Sequence, residues 1–250
     1  MKPLIKAALS SVRLIATDLD GTLTRNGKFT SQLLIALESL AAKDIPVLIV
    51  TGRSAGWVSA IAHYLPVVGA IAENGGLFYH HRLSSELITN LDNVQHHRLQ
   101  LKEVFQLLQG KFPEIRESVD NSFRVTDWTF DIGDLTPQQL VKMSDLCDDA
   151  GYGFTYSTVQ CHIKPKQQDK AVALQQVLKK HFFYLTPQQI VTVGDSPNDE
   201  SLFNPDYFPL SVGVANIHHY SDRLIHKPSY IISLSEAEGF CQIAQFLTER

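Results

Sequence analysis

Asp18 and Asp20 close a short apolar run at residues 12–17 (VRLIAT), and Gly21 follows them. A buried strand that ends in carboxylates delivers them to the carboxyl end of a sheet, where ligands of open α/β sheets bind. Gly21 permits the sharp turn that lets both acids face one crevice. A second apolar run, residues 190–193, leads into Gly194-Asp195-Ser196-Pro197-Asn198-Asp199. Four acidic groups at two strand ends suit a hard divalent cation, which prefers oxygen ligands and takes one or two carboxylates beside a phosphate. Asp18 and Asp195 fit that role. A solvated Asp-Gly turn and a Pro-started helix cap each explain one segment, but not the pairing of the two. An EF-hand loop does not fit, because it needs glycine at its sixth position and Gly21 falls fourth.

Two further segments could hold an anion. Thr51-Gly52-Arg53-Ser54 follows an apolar run at 46–50 and precedes a helical pattern. A hydroxyl and backbone N–H groups at a helix N-terminus bind phosphate, so Thr51, Gly52 and Arg53 are candidate contacts. An ordinary strand-to-helix turn would read the same way. Lys170 opens a helix, where a cation opposes the helix dipole. A phosphate or carboxylate partner would explain it, although surface lysines are common. The histidine pairs His80-His81, His96-His97 and His218-His219 point to opposite faces in extended chain and make poor chelates.

Holding these groups together takes a sheet. Strand-like runs at 12–17, 46–50, 68–72, 190–193, 210–214 and 230–233 alternate with helical spacing at 31–43, 54–64, 169–181 and 236–247. A short helix is expected at 198–203. This rhythm predicts an α/β fold, a Rossmann-like parallel sheet with helices on both faces. It breaks at Glu73-Asn74-Gly75-Gly76, where two glycines before Leu77-Phe78-Tyr79 predict a tight turn and a hairpin strand. Beyond it come a helix at 99–109, a strand at 123–132, a helix at 137–150 and a strand at 154–163. We read residues 1–81 and 164–250 as a core domain and 82–163 as a smaller inserted α/β domain.

The bulk properties agree with a packed enzyme-sized chain. Of 250 residues, 44% are hydrophobic and 19% charged, enough for a core and against disorder. A net charge of -4 argues against a general nucleic-acid binder, which carries a basic face. Cys147, Cys161 and Cys241 are sparse and odd in number, so they form neither a disulfide framework nor a CxxC zinc site. The reading is reduced thiols in a cytoplasmic protein without a membrane span, and the early position of Asp18 speaks against a cleaved leader.

The segments DLDGTLT, TGR, the lysine in QDKAVAL, and GDSPND together resemble the four motifs of the haloacid dehalogenase superfamily, in order and each beside the expected element. The ENGG segment and an insertion between the second and third motifs resemble the Cof-type branch, with the class of cap found in sucrose-phosphate and mannosylphosphoglycerate phosphatases. The resemblance implies a magnesium-dependent phosphatase acting on a small phosphorylated metabolite such as a sugar phosphate or phosphorylated glycoside, with no nucleic-acid or membrane partner. It implies that Asp18 attacks phosphorus to form an aspartyl-phosphate and that Asp20 acts as acid, then base. Thr51 and Lys170 would orient phosphoryl oxygens, and Asn198 would touch one. Mg2+ would sit on Asp18, Asp195 and the Asp20 backbone carbonyl, with Asp199 behind them. The insertion would act as a lid. Alternation along 123–132 puts Arg124, Thr126, Trp128 and Phe130 on one face; Arg124 would reach the substrate's non-phosphate end, the alternative being an outward-facing arginine or one paired with Asp127 or Asp131 inside the insertion. Alternatives are a phosphomutase similar to phosphomannomutase, a non-catalytic module that binds a phosphorylated ligand, and a protein phosphatase.

Overall fold

The strands form where β-branched and other apolar residues run without interruption, and the helices where apolar residues recur every third or fourth position. A computed structural model describes residues 1–80 and 85–249. His81 of one histidine pair, and residue 82 where the insertion was expected to begin, lie outside the described residues.

In chain order the elements are β1 (Lys2–Pro3), β2 (Leu14–Thr17), α1 (Ser31–Ala42), β3 (Val47–Val50), α2 (Ala55–Tyr64), β4 (Gly69–Ala72), β5 (Leu77–His80) and β6 (Ser85–Leu87). There follow α3 (Val94–Lys111), β7 (Trp128–Asp131), α4 (Pro137–Asp149), β8 (Tyr152–Tyr156) and β9 (Gln160–Pro165). The chain closes with α5 (Lys170–His181), β10 (Ile190–Gly194), β11 (Ser211–Gly213), β12 (Tyr230–Ile231) and α6 (Glu236–Thr248). Short 3-10 turns join several of them, including Pro197–Phe203 after β10.

Nine strands make one sheet in the order β1-β12-β11-β10-β2-β3-β4-β5-β6. From β1 to β4 every pairing is parallel, while β5 and β6 run antiparallel to their neighbours. The chain moves outward from β2 through β3 and β4 on one side, and from β10 through β11 and β12 on the other. The strand order therefore reverses between β2 and β10, the crevice where such sheets bind ligands.

Alternate side chains feed two cores. Ile15, Ile49, Ala70 and Val193 face α1, α2 and α6, while Leu14, Ala16, Leu48 and Ile71 face α5. A fully buried aliphatic side chain of this kind contributes about 1.5–3 kcal/mol. The sheet is thus held from both faces, which fixes the directions of its carboxyl ends.

A second, three-stranded antiparallel sheet, β7-β9-β8, packs with α3 and α4 around Leu101, Phe105, Leu108, Phe130, Met143 and Ile163. The start of α4 is sealed by a capping box between Thr136 and Gln139, with Pro137 in the first turn. Two boundaries differ from the sequence reading. Ser85–Leu87 extends the large sheet by pairing with β5, though it falls in the segment assigned to the insertion. The three-residue run has little apolar pattern of its own and is recruited by the hairpin edge. At the other end, β9 stays in the small sheet to Pro165.

The strand expected at 123–132 begins only at Trp128. Residues 119–123 form a 3-10 turn instead. The backbone N–H groups of Val125 and Thr126 donate to the Glu73 carboxylate, so no strand partner can take them. Trp128 and Phe130 pack in the core of the smaller unit. No described helix is long and apolar enough to cross a membrane.

Candidate active site

Val193 pairs with Thr17 in register, so the next residues of β2 and β10 leave the sheet side by side. The Asp18 N–H donates to the Val193 carbonyl at 2.9 Å and sets the carboxylate at the switch point. Gly21 turns the chain at φ 80, and a Cβ there would lie 2.5 Å from Asp195 Oδ2. Only glycine fits that close approach.

Four charged side chains form a buried cluster. Lys170 Nζ donates to Asp18 Oδ1 and to Asp199 Oδ1, each at 2.6 Å. Asp199 Oδ2 accepts the N–H groups of Asp195 and Ser196 at 3.0 and 3.2 Å, which closes the turn after β10. Asp195 accepts from the Thr22 hydroxyl and from Asn216 Nδ2 at 3.1 and 2.8 Å. Burial, then the Asp199 charge, push the Asp18 carboxyl up to about 7, against the pull of Lys170. Burial and the Asp18 and Asp199 charges likewise hold Asp195 well above the usual carboxylate range. Burial alone would lower Lys170, but Asp18 and Asp199 outweigh it and raise it.

Oxygens of Asp18, Asp195 and Asp199 lie within 4.8 Å of one another. Three buried carboxylates against one ammonium leave excess negative charge when ionised, which adds to burial in raising the proton affinities of Asp18 and Asp195. A hard divalent cation matches this all-oxygen donor set. Asp199 is engaged by the Lys170 ammonium and two backbone N–H groups, whereas Asp195 accepts one neutral side-chain donor on each oxygen, so Asp18 and Asp195 keep more acceptor capacity for a cation.

Thr51, Gly52 and Arg53 stand beside this cluster at the end of β3. The Thr51 hydroxyl accepts from the Arg53 N–H at 3.1 Å. The Arg53 guanidinium grips Asp20 with both arms, at 2.7 and 2.6 Å, and stacks on Trp57 at 4.6 Å. Burial opposes the arginine charge, but this ion pair outweighs it. Asn198 takes the Ser196 hydroxyl on its oxygen and donates to Asn74 at 3.1 Å.

The structure gives Arg124 the alternative place, paired with Asp127 inside the insertion rather than reaching for substrate. It is buried beside the core with every donor nitrogen engaged. It bonds Asp120, Asp127, Gln160 and the Gly52 carbonyl, at 2.9–3.3 Å. A guanidinium so occupied has nothing left for a substrate. It ties the smaller unit to the Thr51–Arg53 turn instead. The strand alternation that suggested otherwise does not operate there, because residue 124 lies outside β7.

Several residues at the site had no role assigned from the sequence. Glu73, in the turn that enters β5 (φ 55), accepts from Ala55, Val125 and Thr126 and so joins the start of α2 to the segment before β7. Glycine 76 is required next to it, since a Cβ would lie 1.9 Å from Thr126 Oγ1. Ser157, Val159, Gln160 and His162, on the β8–β9 hairpin, close over Asp18, Asp20, Thr51 and Asn198. The space between them is about 10 Å³, the room of a single water molecule.

The sequence model for sucrose-6F-phosphate phosphohydrolase matches residues 11–248. The chain belongs to that family. It is a phosphoric monoester hydrolase, and it shares its fold with haloacid dehalogenase-like and Cof-like hydrolases of known structure. A phosphoglycolate phosphatase from Methanothrix thermoacetophila is 27% identical over 236 residues, covering 93% of this chain and 95% of the relative. A second phosphoglycolate phosphatase, from Thermoplasma acidophilum, is 26% identical and covers 77% and 81%. Among solved structures, a Thermoplasma acidophilum protein superposes with a TM-score of 0.76 at 23% identity, covering 95% of this chain and 99% of its own. A sucrose-phosphatase from Synechocystis, solved with sucrose and phosphate, gives 0.65 at 19% identity, with 98% of both chains covered. These two structures share the fold.

Proposed function

We propose that the protein hydrolyses a small phosphomonoester in the cytoplasm, using Asp18 as nucleophile and Mg2+ as cofactor, and that residues of the insertion close over the substrate. The observation that carries this is the Lys170 bridge: its ammonium holds Asp18 Oδ1 and Asp199 Oδ1 at 2.6 Å in one buried cluster with Asp195. With Oδ1 held, Asp18 Oδ2 is the oxygen free to attack phosphorus in line. The P–O bond to the leaving alcohol breaks as the Asp18–phosphorus bond forms. Water then cleaves the aspartyl-phosphate and releases phosphate.

Magnesium, held by Asp18, Asp195 and the Asp20 backbone carbonyl, would offset the repulsion between an anionic nucleophile and an anionic substrate. Lys170 and Thr51 orient the phosphoryl oxygens, and the Gly52 N–H and Asn198 amide add donors. Asp20 protonates the leaving oxygen and later takes a proton from water. Its carboxylate is held on both oxygens by Arg53. A phosphate is the stronger bidentate partner for that fork. Arg53 therefore moves to the substrate phosphate and frees Asp20 for proton transfer. The site's small free volume supports an opening step before substrate enters.

The names of the relatives support two classes of leaving group, a sugar and a short hydroxy acid. Assay of phosphorylated metabolites with and without magnesium tests the reading. Magnesium-dependent phosphate release supports it. Isomer formation without phosphate release would favour a mutase, and binding without turnover would favour a ligand-binding module.

A further inference from the structure

Glu73 is fully buried, yet its main chain and its side chain reach three separate segments. It opens the turn that leads into β5, and both it and Asn74 take positive φ, 55 and 53. Two successive non-glycine residues in that region are unfavourable, and glutamate is a poor occupant of it. A turn that keeps a strained, buried acid invites a functional reason. The Glu73 N–H donates to the Arg53 carbonyl at 3.0 Å, and the Asn74 N–H donates to the Thr51 carbonyl at 2.9 Å. Arg124 holds the Gly52 carbonyl between them at 3.0 Å. All three carbonyls of the Thr51–Arg53 turn are thus taken. In a planar trans peptide the carbonyl and the following N–H point in opposite directions. Fixing the Thr51 carbonyl therefore aims the Gly52 N–H, and fixing the Arg53 carbonyl aims the Ser54 N–H.

The carboxylate holds the segment that follows. Its Oε1 accepts the Ala55 N–H at 2.9 Å and the Val125 N–H at 3.0 Å. Its Oε2 accepts the Thr126 N–H and hydroxyl at 2.6 and 2.7 Å. Ser54 occupies the N-cap position of α2, but its side chain makes no capping bond. Glu73 supplies that cap from outside the helix, and its charge suits the positive end of the dipole. Burial, then the Asp127 charge, raise the carboxyl to about 6, against the pull of Arg124 and of the Thr126 and Ala55 N–H groups. It is ionised at neutral pH and open to all four donors. Gln168 locks the pair, donating from Nε2 to the Glu73 carbonyl and to the Thr126 hydroxyl. Neither Glu73 nor Thr126 lines the cavity that holds Asp18 and Asp20.

We propose that Glu73 is a positioning residue that couples the seating of the insertion to the aim of the phosphate-binding N–H groups. Docking of Val125 and Thr126 fixes the carboxylate, the carboxylate fixes the start of α2, and the Glu73–Asn74 backbone fixes the turn before it. Phosphate binding and insertion docking then favour each other, and the coupling is equal in both directions. It acts on the phosphate that every substrate shares, not on the leaving group. The inference rests on the phosphatase reading, in which the Gly52 N–H meets the phosphate.

The test uses inorganic phosphate as an inhibitor of p-nitrophenyl phosphate hydrolysis with magnesium. Glu73→Gln leaves the buried donors with fewer acceptors. It should raise the inhibition constant for phosphate at least about fivefold, the lower end of ordinary coupling between sites. Thr126→Val, close in shape and outside the cavity, removes one donor and should raise that constant by a smaller factor. The double variant should lose no more than Glu73→Gln alone, since the hydroxyl acts through that carboxylate. Thermal melts identify folded variants, and where Glu73→Gln does not fold, Thr126→Val decides. Hydrogen exchange gives a readout free of turnover. Phosphate should slow exchange of the Val125 and Thr126 amides in wild type, and that effect should be lost in the folded variants. A Glu73 that is merely structural would lower Tm and leave phosphate inhibition of the folded protein unchanged, which overturns the proposal. Additive losses, or wild-type amides indifferent to bound phosphate, would overturn it too. A wild type that neither hydrolyses p-nitrophenyl phosphate nor binds phosphate, even with magnesium, would defeat the phosphatase reading itself.

Discussion

Replacing Arg124 by methionine removes a guanidinium with no side-chain exposure that pairs with Asp120 and Asp127. Methionine retains much of the stem's bulk, so the effect is chiefly electrostatic. Removing one partner of a buried ion pair costs about 3–5 kcal/mol, because the remaining carboxylates stay buried. For a chain of this length that corresponds to a fall in Tm of roughly 6–20 °C. The pH dependence has a definite sign. Burial alone would raise the Asp127 carboxyl, but Arg124 and then His162 outweigh it and hold it below the ordinary value. A carboxyl depressed in the folded state stabilises above its unfolded pKa, and that contribution is lost as pH falls through the folded pKa. The gap between wild type and Arg124→Met should therefore be full at pH 7 and narrow below about pH 4. Thermal and urea unfolding at both pH values measure it. Activity should fall on large and small substrates alike, since the Gly52 carbonyl loses its bond to Arg124. A variant within about 1 kcal/mol of wild type at pH 7 would refute the reasoning. So would a normal Tm with activity lost on large substrates alone, which would make Arg124 a substrate contact.

Asp195→Asn should raise the magnesium concentration needed for half-maximal activity more than Asp199→Asn does, because Asp199 is occupied by Lys170 and two N–H groups; magnesium titration of activity decides, and the reverse order would exchange their roles. Asp199→Asn should instead lower Tm, as it leaves the buried Lys170 with one carboxylate fewer. Gly76→Ala should prevent normal folding, since its Cβ would meet Thr126 Oγ1 at 1.9 Å. Gly110→Ala, in α3 with open space around it, should stabilise by about 0.5–1 kcal/mol; urea unfolding of the pair checks both, and equal midpoints would contradict the packing described.

The grouping of the proposed site residues was legible because each of them sits at a forced position. Asp18, Thr51 and Asp195 follow uninterrupted apolar runs, and Lys170 opens a helix, so the period-two and helical patterns place them without tertiary information. The parallel sheet and its helices follow from the same patterns. What the pattern could not carry were contacts between distant segments. Val125 and Thr126 look like strand residues until the Glu73 carboxylate, far away in sequence, captures their N–H groups. Arg124 in an apolar stretch allowed a reach toward solvent or substrate or a pairing with Asp127 or Asp131, and its alternation alone could not choose; Asp120, Asp127 and Gln160 bury it. His162 is a lone histidine in an apolar strand, with no local feature to distinguish it from a packed core residue. Asn216, which steadies Asp195 from a 3-10 turn, gives no signal either. The strand at Ser85–Leu87 owes its place to the edge offered by β5 rather than to its own sequence.

Asp18 is the residue proposed to carry phosphate between the two steps of the reaction. Its most direct test is acid quenching of the enzyme during turnover of a phosphate-labelled substrate with magnesium, followed by mapping of the label. Asp20→Asn is quenched in parallel with an activated aryl phosphate, which needs no proton for its leaving group and so lets the intermediate accumulate. The expected result is hydroxylamine-sensitive label on the peptide containing Asp18, stronger in Asp20→Asn and absent from an Asp18→Asn protein that remains folded. Label on a different residue, or turnover that persists in Asp18→Asn, would contradict it.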